Sequence, residues 1–293
     1  MNEGKITENP WEKEYYDLAL KLSGAVQAAR WADTHDGLGY ICSFNGPHSL
    51  FVDTIRSLRI VGLSHKLGHL LMGENDQPIS LLDRLIKHAR ATAKYNIYFG
   101  KGRDSYDIRG RTVHEAVFNR NDGRFRCPST QQGYSPFSTW TRGLAWAITG
   151  YAEQLEFIDT LEAGELEPFG GKETILNEFL ETARATVDFY IENTPLDGIP
   201  YWDTGAPGLV HLTNYRDEIS DPYNDYEPID SSAAAIAAQG MIRLGKYLSS
   251  KGQNEDGKFY YAAGLTVASY LFDSPYLSMD ENHQGLILHS IYH

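Results

Sequence analysis

Cysteine is scarce in this chain of 293 residues, because Cys42 and Cys127 are its only two. They stand in neither CxxC nor metal-ligand spacing, so we expect no disulfide framework and no zinc site. Two unpaired thiols fit a reducing compartment, and we therefore expect a cytoplasmic protein. The sequence also contains no glycine-rich phosphate loop, GxSxG elbow or HExxH motif, which argues against the enzyme classes built on them.

Positive charge is in deficit, since 26 Lys and Arg face 39 Asp and Glu for a net charge of -13. Phosphate binding needs clustered basic residues, so we expect no nucleic-acid partner, although one local Arg could still bind an anionic sugar. No apolar stretch approaches the roughly 20 residues that a membrane helix requires. Residues 1–17 lack the apolar segment of a signal peptide, so we expect a soluble protein without a membrane partner.

Aromatic residues are plentiful, at 12% of the chain with 19 Tyr and 5 Trp. Their flat apolar faces and polar edges suit sugar rings, although helix packing uses the same side chains. The overall composition, 42% hydrophobic and 22% charged, is that of an ordinary globular protein. Without a flexible linker or low-complexity segment, the sequence predicts a single domain over residues 1–293.

Hydrophobic periodicity predicts an all-α protein. Residues 12–31 place Tyr15, Leu18, Leu22, Val26 and Ala29 on one stripe at helical spacing. Further helices are predicted over residues 48–67, 81–98, 138–158, 173–193, 230–249, 258–272 and, as a short last one, 283–292. Helices with few charges alternate with helices that have only one apolar face. This alternation predicts an inner and an outer ring, and an irregular helical bundle is the alternative.

Turns and short strands are predicted between these helices. Asp-Gly pairs at residues 36–37, 122–123, 197–198 and 256–257 mark loops. The strand-like segments 39–44 and 114–119 lie beside such turns, so we expect short β-hairpins at the rim of the helical array.

The densest polar group surrounds Arg142, which lies between Trp140 and Trp146 at the start of an otherwise apolar helix. A buried unpaired guanidinium is strongly destabilising, so Arg142 should meet an anion. That anion could be the internal Asp230, a substrate, or both.

Asp53 lies within the apolar run of residues 50–55. It could be a helix N-cap, or it could be a buried acid whose raised pKa lets it donate a proton near neutral pH. His114 could be a site residue or a satisfied half-buried histidine. Trp202 follows an Asp-Gly turn and could either roof a pocket or serve in packing.

Three ordered segments, residues 138–146 (STWTRGLAW), 198–203 (GIPYWD) and 230–236 (DSSAAAI), resemble those of the unsaturated glucuronyl hydrolases, glycoside hydrolase family 88. The related unsaturated rhamnogalacturonyl hydrolases are close competitors. The resemblance runs from about residue 31 to the end and implies an (α/α)6 toroid of the six-hairpin glycosidase type with a central site.

By position, the resemblance implies that Asp53 is the catalytic acid/base. It assigns substrate binding to His114, Gln132, Trp140, Arg142, Trp146 and Trp202. The implied chemistry is hydration of the C4=C5 bond of an unsaturated uronyl oligosaccharide, after which the neighbouring sugar leaves. An acid, water and a prepared pocket suffice for it, so neither a metal nor another cofactor is expected.

The N-terminal hairpins of the family pattern, with their further His-Asp pair, have no counterpart in this sequence. We therefore expect an incomplete toroid of about eight helices that could self-associate through exposed inner helices. Two other functions remain open: a catalytically silent carbohydrate-binding fragment of the family, and a sugar epimerase or isomerase on the same toroid.

Overall fold

The computed structural model describes residues 9–291 of the chain. Within that range it contains eight α-helices, which confirms the all-α class. They are α1 (Pro10–Ala29), α2 (Leu58–Lys66), α3 (Leu81–Asn96), α4 (Thr141–Asp159), the one-turn α5 (Ala163–Leu166), α6 (Lys172–Glu192), α7 (Ser231–Ser250) and α8 (Asn254–Leu271). No helix of this part of the chain is long and apolar enough to cross a membrane.

The strands are short and antiparallel. They are β1 (Trp31–Asp33), β2 (Gly39–Ile41), β3 (Ser49–Phe51), β4 (Leu71–Met72), β5 (Pro78–Ile79), β6 (Glu115–Phe118) and β7 (Phe125–Ser129). β1 pairs with β2 and β4 pairs with β5, while β3, β6 and β7 form a three-stranded sheet in that order. The two strand-like segments predicted from the sequence became β2 and β6.

Inner and outer helices alternate along the chain, as their charge content predicted. α4 is buried around most of its circumference, because its small residues and Leu, Ile and Tyr side chains pack against both α6 and α7. α7 is similarly covered, with α8 on its far side, whereas α3 and α6 each bury one face. One hydrophobic core joins these layers, extending from Ala28 in α1 to Tyr276 beyond α8.

The predicted helix over residues 48–67 is three elements instead of one. Its first part is β3, which pairs with β6 through Leu50 opposite Ala116. A 3-10 helix (Val52–Ser57) follows and leads into α2. The β-branched and aromatic side chains in this run suit a strand, and a partner strand was available to satisfy its backbone, so pairing prevailed over helix periodicity.

The predicted terminal helix is wrong for residues 283–291, and residue 292 lies outside the described residues. An antiparallel bridge joins Leu277 to Ile287, and the backbone N–H of Ser231 donates to the carbonyl of His289. The Asp280 carboxylate accepts from the backbone of Asn282 in a tight turn. Such side-chain to backbone bonds compete with helix formation.

Three of the four Asp-Gly pairs are turns with a positive glycine φ: Gly37 at 80°, Gly123 at 67° and Gly198 at 70°. The fourth prediction is wrong, because Gly257 lies in the first turn of α8. A Cβ there would stand 2.3 Å from Ser249 Oγ and 2.8 Å from the Gly245 carbonyl. This glycine therefore serves the close approach of α8 to α7.

The amphipathic helix predicted at the start of the chain is present as α1, but its apolar stripe faces outward. α1 buries Leu20, Gly24 and Ala28 against the body of the protein. Tyr15 and Leu22, by contrast, are 67% and 57% exposed. Periodicity identified which residues share a face without determining what covers it.

Gly150 sets the distance between α4 and the 3-10 helix, because a Cβ there would lie 2.7 Å from Cγ2 of the fully buried Ile55. We expect Gly150→Ala to destabilise the protein by about 1–3 kcal/mol through overpacking. As a control, Gly164→Ala adds its methyl group to open space on α5 and should stabilise by about 0.5–1 kcal/mol. Urea unfolding of both variants measures this, and an unchanged midpoint for Gly150→Ala would contradict the packing argument.

Candidate active site

Three inner helices begin at the same place. Asp53 lies in the 3-10 helix that leads into α2, Arg142 lies in the first turn of α4, and Asp230 is the N-cap of α7. The positive ends of three helix dipoles therefore point toward one region, which favours negative charge there.

Asp53 is not the helix cap that one reading of the sequence allowed. The N-cap of its 3-10 helix is Phe51, which makes no side-chain capping bond. Asp53 instead lies one residue inside, only 6% exposed. Behind it, the hydroxyl of Thr54 donates to the carbonyl of Phe51 at 2.5 Å, which ties the turn to the end of β3.

Burial raises the pKa of the Asp53 carboxyl, because desolvation penalises its charged form. Arg56 opposes that rise, with Nη2 at 3.4 Å from Asp53 Oδ2, and the more distant Arg142 adds a smaller opposing effect. The Arg56 side chain is 53% exposed, so solvent weakens its influence. The result is an acid that keeps its proton to a higher pH than an exposed aspartic acid does.

His114 has a defined tautomer. Its Nδ1 accepts from the backbone N–H groups of Gln131 and Gln132, at 3.1 and 3.3 Å, so the ring proton is assigned to Nε2. Burial, with a contribution from the charge of Arg142, lowers the pKa of His114 to about 4. The ring is therefore a neutral N–H donor at physiological pH.

His114 Nε2 faces Asp53 Oδ1 across 3.9 Å. Both atoms are buried, and neither has a hydrogen-bond partner among residues 9–291. Buried polar atoms are usually paired, and catalytic hydrogen bonds are often long before substrate binds. The Asp53 carboxyl, which can donate a proton, and the Nε2–H donor of His114 therefore face each other, and neither of these facing atoms makes a hydrogen bond within the described part of the chain.

Arg142 has the internal partner that the sequence suggested. Its Nη1 lies 3.1 Å from the Asp230 carboxylate and 3.1 Å from Ser232 Oγ, and it also donates to the carbonyl of Ile291. Asp230 is fully buried and accepts from the backbone of Ser232 and Ala233 as well. This salt bridge fixes the guanidinium, and it does not exclude a substrate contact.

Trp140 joins these groups into one wall. Its ring lies 4.8 Å from the His114 ring, and the Arg142 guanidinium carbon lies 4.9 Å from the Trp140 ring centre. A Cβ at Gly143 would stand 2.7 Å from Trp140 and 3.0 Å from Val52, so this glycine lets α4 approach the turn that carries Asp53.

The remaining predicted residues reach the site less directly. Gln132 is half-buried and contributes its backbone N–H to His114. Trp146 lies one turn beyond Arg142 on α4, beneath the Arg56 guanidinium at 5.3 Å. The Trp202 carbonyl accepts from the backbone of Thr141 at 3.1 Å, which docks this loop on the start of α4.

Two residues of the site were missed by the sequence analysis. Arg56 follows Asp53 by three positions, and that helical spacing was an available signal. Glu227 accepts the Trp202 indole N–H at 2.7 Å and the Gly208 backbone N–H at 2.6 Å. Its separation of 25 residues from Trp202 offered no local signal. Between residues 9 and 291, no three His, Cys, Asp or Glu side chains form a group that could hold a metal ion.

The alternating helices and the site at the start of the inner ones match part of a toroid of helical hairpins. The unsaturated glucuronyl hydrolase of Bacillus sp. GL1 has the same fold, with a TM-score of 0.68 at 20% identity over 98% of this chain and 63% of that one. The Streptococcus agalactiae enzyme of that name gives a TM-score of 0.66 at 18% identity, over 99% of this chain and 60% of that one.

Comparison with curated protein sequences gives the same similarity. An unsaturated glucuronyl hydrolase from Formosa agariphila is 31% identical over 168 residues, 57% of this chain and 32% of that protein. An unsaturated chondroitin disaccharide hydrolase from Streptococcus pyogenes is 28% identical over 72% of this chain and 42% of its own length. No protein-family model matches. The chain is thus unsaturated glucuronyl hydrolase-like in sequence and fold, and the matched segments cover less than half the length of these curated relatives.

The raised pKa of Asp53 has a consequence for stability. Below the ordinary pKa of an aspartic acid, the carboxyl is protonated in both the folded and unfolded states. As pH rises, the unfolded chain loses this proton first, so the folded state loses stability until the pH passes the raised pKa. We expect Asp53→Asn to be more thermostable than the wild type at neutral pH.

The difference in melting temperature should shrink as pH falls below 4, where the wild-type carboxyl is also neutral in the unfolded chain. Thermal scans from pH 3 to 8 measure this, with Asp76→Asn in the exposed 3-10 turn between β4 and β5 as the control. A variant less stable than the wild type at pH 7 would show that the Asp53 carboxylate is stabilised in the fold.

Proposed function

We propose that this chain hydrates the C4=C5 bond of unsaturated uronyl oligosaccharides, with Asp53 as the acid/base. The observation that carries the proposal is the buried facing pair, Asp53 Oδ1 and His114 Nε2 at 3.9 Å. The sequence similarity to unsaturated glucuronyl and chondroitin disaccharide hydrolases supports the substrate class.

In the proposed reaction, protonated Asp53 gives its proton to C4, and positive charge develops at C5. The carboxylate that remains takes a proton from water as the water oxygen bonds to C5. The resulting hemiketal opens, and the neighbouring sugar leaves. One carboxyl that first donates and then accepts a proton suffices, in contrast to the paired carboxylates of ordinary glycosidases.

The other site residues fit supporting roles in this scheme. The neutral His114 N–H would donate to a substrate oxygen beside Asp53. Trp140, Trp146 and Trp202 offer apolar faces to sugar rings, and Gln132 lies beside His114 with its amide half-buried. These assignments follow the residue types and their places around Asp53.

Arg56 and Arg142 would supply the charge that a uronyl carboxylate needs. Arg142 already shares its guanidinium with Asp230, whereas the Arg56 side chain is half exposed beside the acid. We therefore assign Arg56 as the main partner of the substrate carboxylate. A planar guanidinium suits a carboxylate through two parallel hydrogen bonds.

A catalytically silent sugar-binding fragment is the second candidate, because the chain spans only 63% of the Bacillus structure. A sugar epimerase has less support, since it typically uses a pair of acid/base groups such as histidines, and the rings that lie against His114 are Phe51 and Trp140. We further propose that residues 1–293 act as one catalytic domain. We also propose a cytoplasmic location, because free thiols at Cys42 and Cys127 suit a reducing compartment.

The direct test is the loss of the ultraviolet absorbance of the conjugated double bond in an unsaturated uronyl disaccharide. We expect turnover by the wild type and an about 10²–10⁴-fold slower reaction for Asp53→Asn, the usual contribution of a general acid. Asp76→Asn is the matched control and should keep wild-type activity. In D₂O the product should gain deuterium at C4. Sugar binding without turnover would support the silent fragment instead, and equal rates for Asp53→Asn would exclude Asp53 as the acid.

Arg56→Met tests the second assignment through two independent measurements. Loss of a carboxylate partner should raise KM for the disaccharide by about tenfold, as for one charge-assisted hydrogen bond. Because Arg56 holds the pKa of Asp53 down, its removal should also move the alkaline fall in activity to higher pH. Lys258→Met, an exposed charge on α8, is the control. An unchanged KM would remove Arg56 from substrate binding.

A further inference from the structure

The outward face of α1 carries a continuous apolar stripe. We call it the outer stripe, and its members are Trp11 (68% exposed), Tyr15 (67%), Leu18 (47%), Leu22 (57%) and Val26 (54%). Leu70 and Met72, beside α1 at β4, are also exposed, at 46% and 56%. A contiguous apolar surface of this kind marks an interaction site more often than an ordinary protein surface.

The outer stripe cannot turn inward, because the opposite side of α1 is already fixed to the body. At 3.6 residues per turn, Leu20, Gly24 and Ala28 lie half a turn away from the stripe, and these are the buried residues of the helix. Gly24 packs so closely on α2 that a Cβ would stand 2.3 Å from Ser64 Oγ.

The spacing of the stripe specifies the shape of its partner. Steps of four, three and four residues from Trp11 to Leu22 are the heptad pattern that packs one helix along another. Tyr15 and Leu22 then occupy a positions, and Trp11 and Leu18 occupy d positions. The occupant is therefore another α-helix that runs along α1, rather than a globular surface.

We propose that the occupant is α1 of a second copy of this chain, in antiparallel orientation. Glu14 and Lys21 both occupy g positions, so they lie on the same flank of the stripe. In an antiparallel pair the a positions pack against d positions, so Tyr15 lies opposite Leu18 and Trp11 lies opposite Leu22 of the other helix. The g flanks of the two helices then face each other. Glu14 of each copy then lies beside the partner's Lys21, and the twofold symmetry makes this ion pair twice.

A parallel pair lacks this match, because each g position then faces an e position of the other helix. The e positions nearest to these two charges are Ala19 and Val26, which carry no charge. The charge distribution along α1 agrees with the antiparallel choice. Its first half carries Glu12, Glu14 and Asp17 against Lys13, whereas its second half carries Lys21 without an acidic residue.

The surface that would be buried is sufficient for a weak, specific dimer. An aromatic side chain carries about 150–250 Å², and Trp11 and Tyr15 are each about two-thirds exposed. With the three aliphatic members and the same residues of the partner, the buried apolar area is on the order of 1,000 Å², near the lower limit for specific interfaces.

Sedimentation equilibrium of the purified chain over a range of concentrations tests the proposal. The wild type should fit a monomer–dimer equilibrium, and Leu18→Glu should be monomeric because it places charges at the centre of the pair. Val210→Glu, which replaces an apolar residue 75% exposed elsewhere, should dimerise like the wild type. Circular dichroism should show equal helix content in all three, since neither substituted side chain is buried.

Charge reversal decides the orientation. Glu14→Lys and Lys21→Glu should each raise the dimer Kd by about tenfold, since each turns two ion pairs into like-charge contacts. The double variant should recover wild-type affinity. A wild type that stays monomeric throughout the concentration range overturns the proposal. A dimer that survives Leu18→Glu, or a double variant that does not recover, overturns the antiparallel α1 pair.

These measurements need no substrate. Their outcome is therefore independent of whether the chain hydrates unsaturated sugars, and an inactive chain can still confirm or overturn the dimer.

Discussion

The site depends on keeping the Asp53 carboxyl away from water without a full set of hydrogen bonds. A buried carboxylate that is unpaired is costly, and the ordinary solution is to pair it or to protonate it. Here the nearest cation, Arg56, is half exposed, and the nearest imidazole, His114, is kept neutral mainly by burial, with two backbone N–H groups bonded to its Nδ1. The geometry therefore favours the protonated acid, which is the state that proton donation to carbon requires.

That arrangement constrains the elements around it. β3 and β6 must pair in register so that the end of β3, which leads into the turn of Asp53, lies beside His114 just ahead of β6. The loop after β7 must also curl back to present its N–H groups to His114. Gly143 must remain small so that α4 can bring Arg142 close. The small sheet thus positions the chemistry, while the helices supply the stable frame on which it rests.

Much of the fold could be predicted from the sequence, because helices with few charges differ visibly from helices with one apolar face. The bounds of α3, α4, α6 and α7 follow from periodicity to within a few residues. The segment ahead of α2 and the terminal segment could not be predicted in this way, since partner strands and side-chain turns decided them. For α1, the pattern gave the helix and the shared face but not its orientation.

The candidate site, like the fold, could be predicted from the sequence only in part. Burial of Asp53 and the need of Arg142 for an anion were visible locally, as was the candidate partner Asp230 at the start of a helix of small residues. Their assembly into one site was predicted only through the family resemblance, because residues 89 and 177 positions apart carry no mutual signal in one sequence. Glu227 beneath Trp202 depends on a tertiary contact and became visible only in the structure, whereas the spacing of Arg56 from Asp53 was a local signal that the sequence analysis did not use.

The carbonyl of Ile291 has a bearing on how the chain acquires its site during synthesis. Arg142 is translated near the middle of the chain, yet one of its bonds comes from the C-terminal segment, which is held in place by the backbone of Ser231. The residues of α4 and α7 are therefore synthesised before the guanidinium can gain all its contacts. A chain that ended before Ile291 would keep the buried residues of the hydrophobic core, which extends to Tyr276, but would leave Arg142 without this carbonyl.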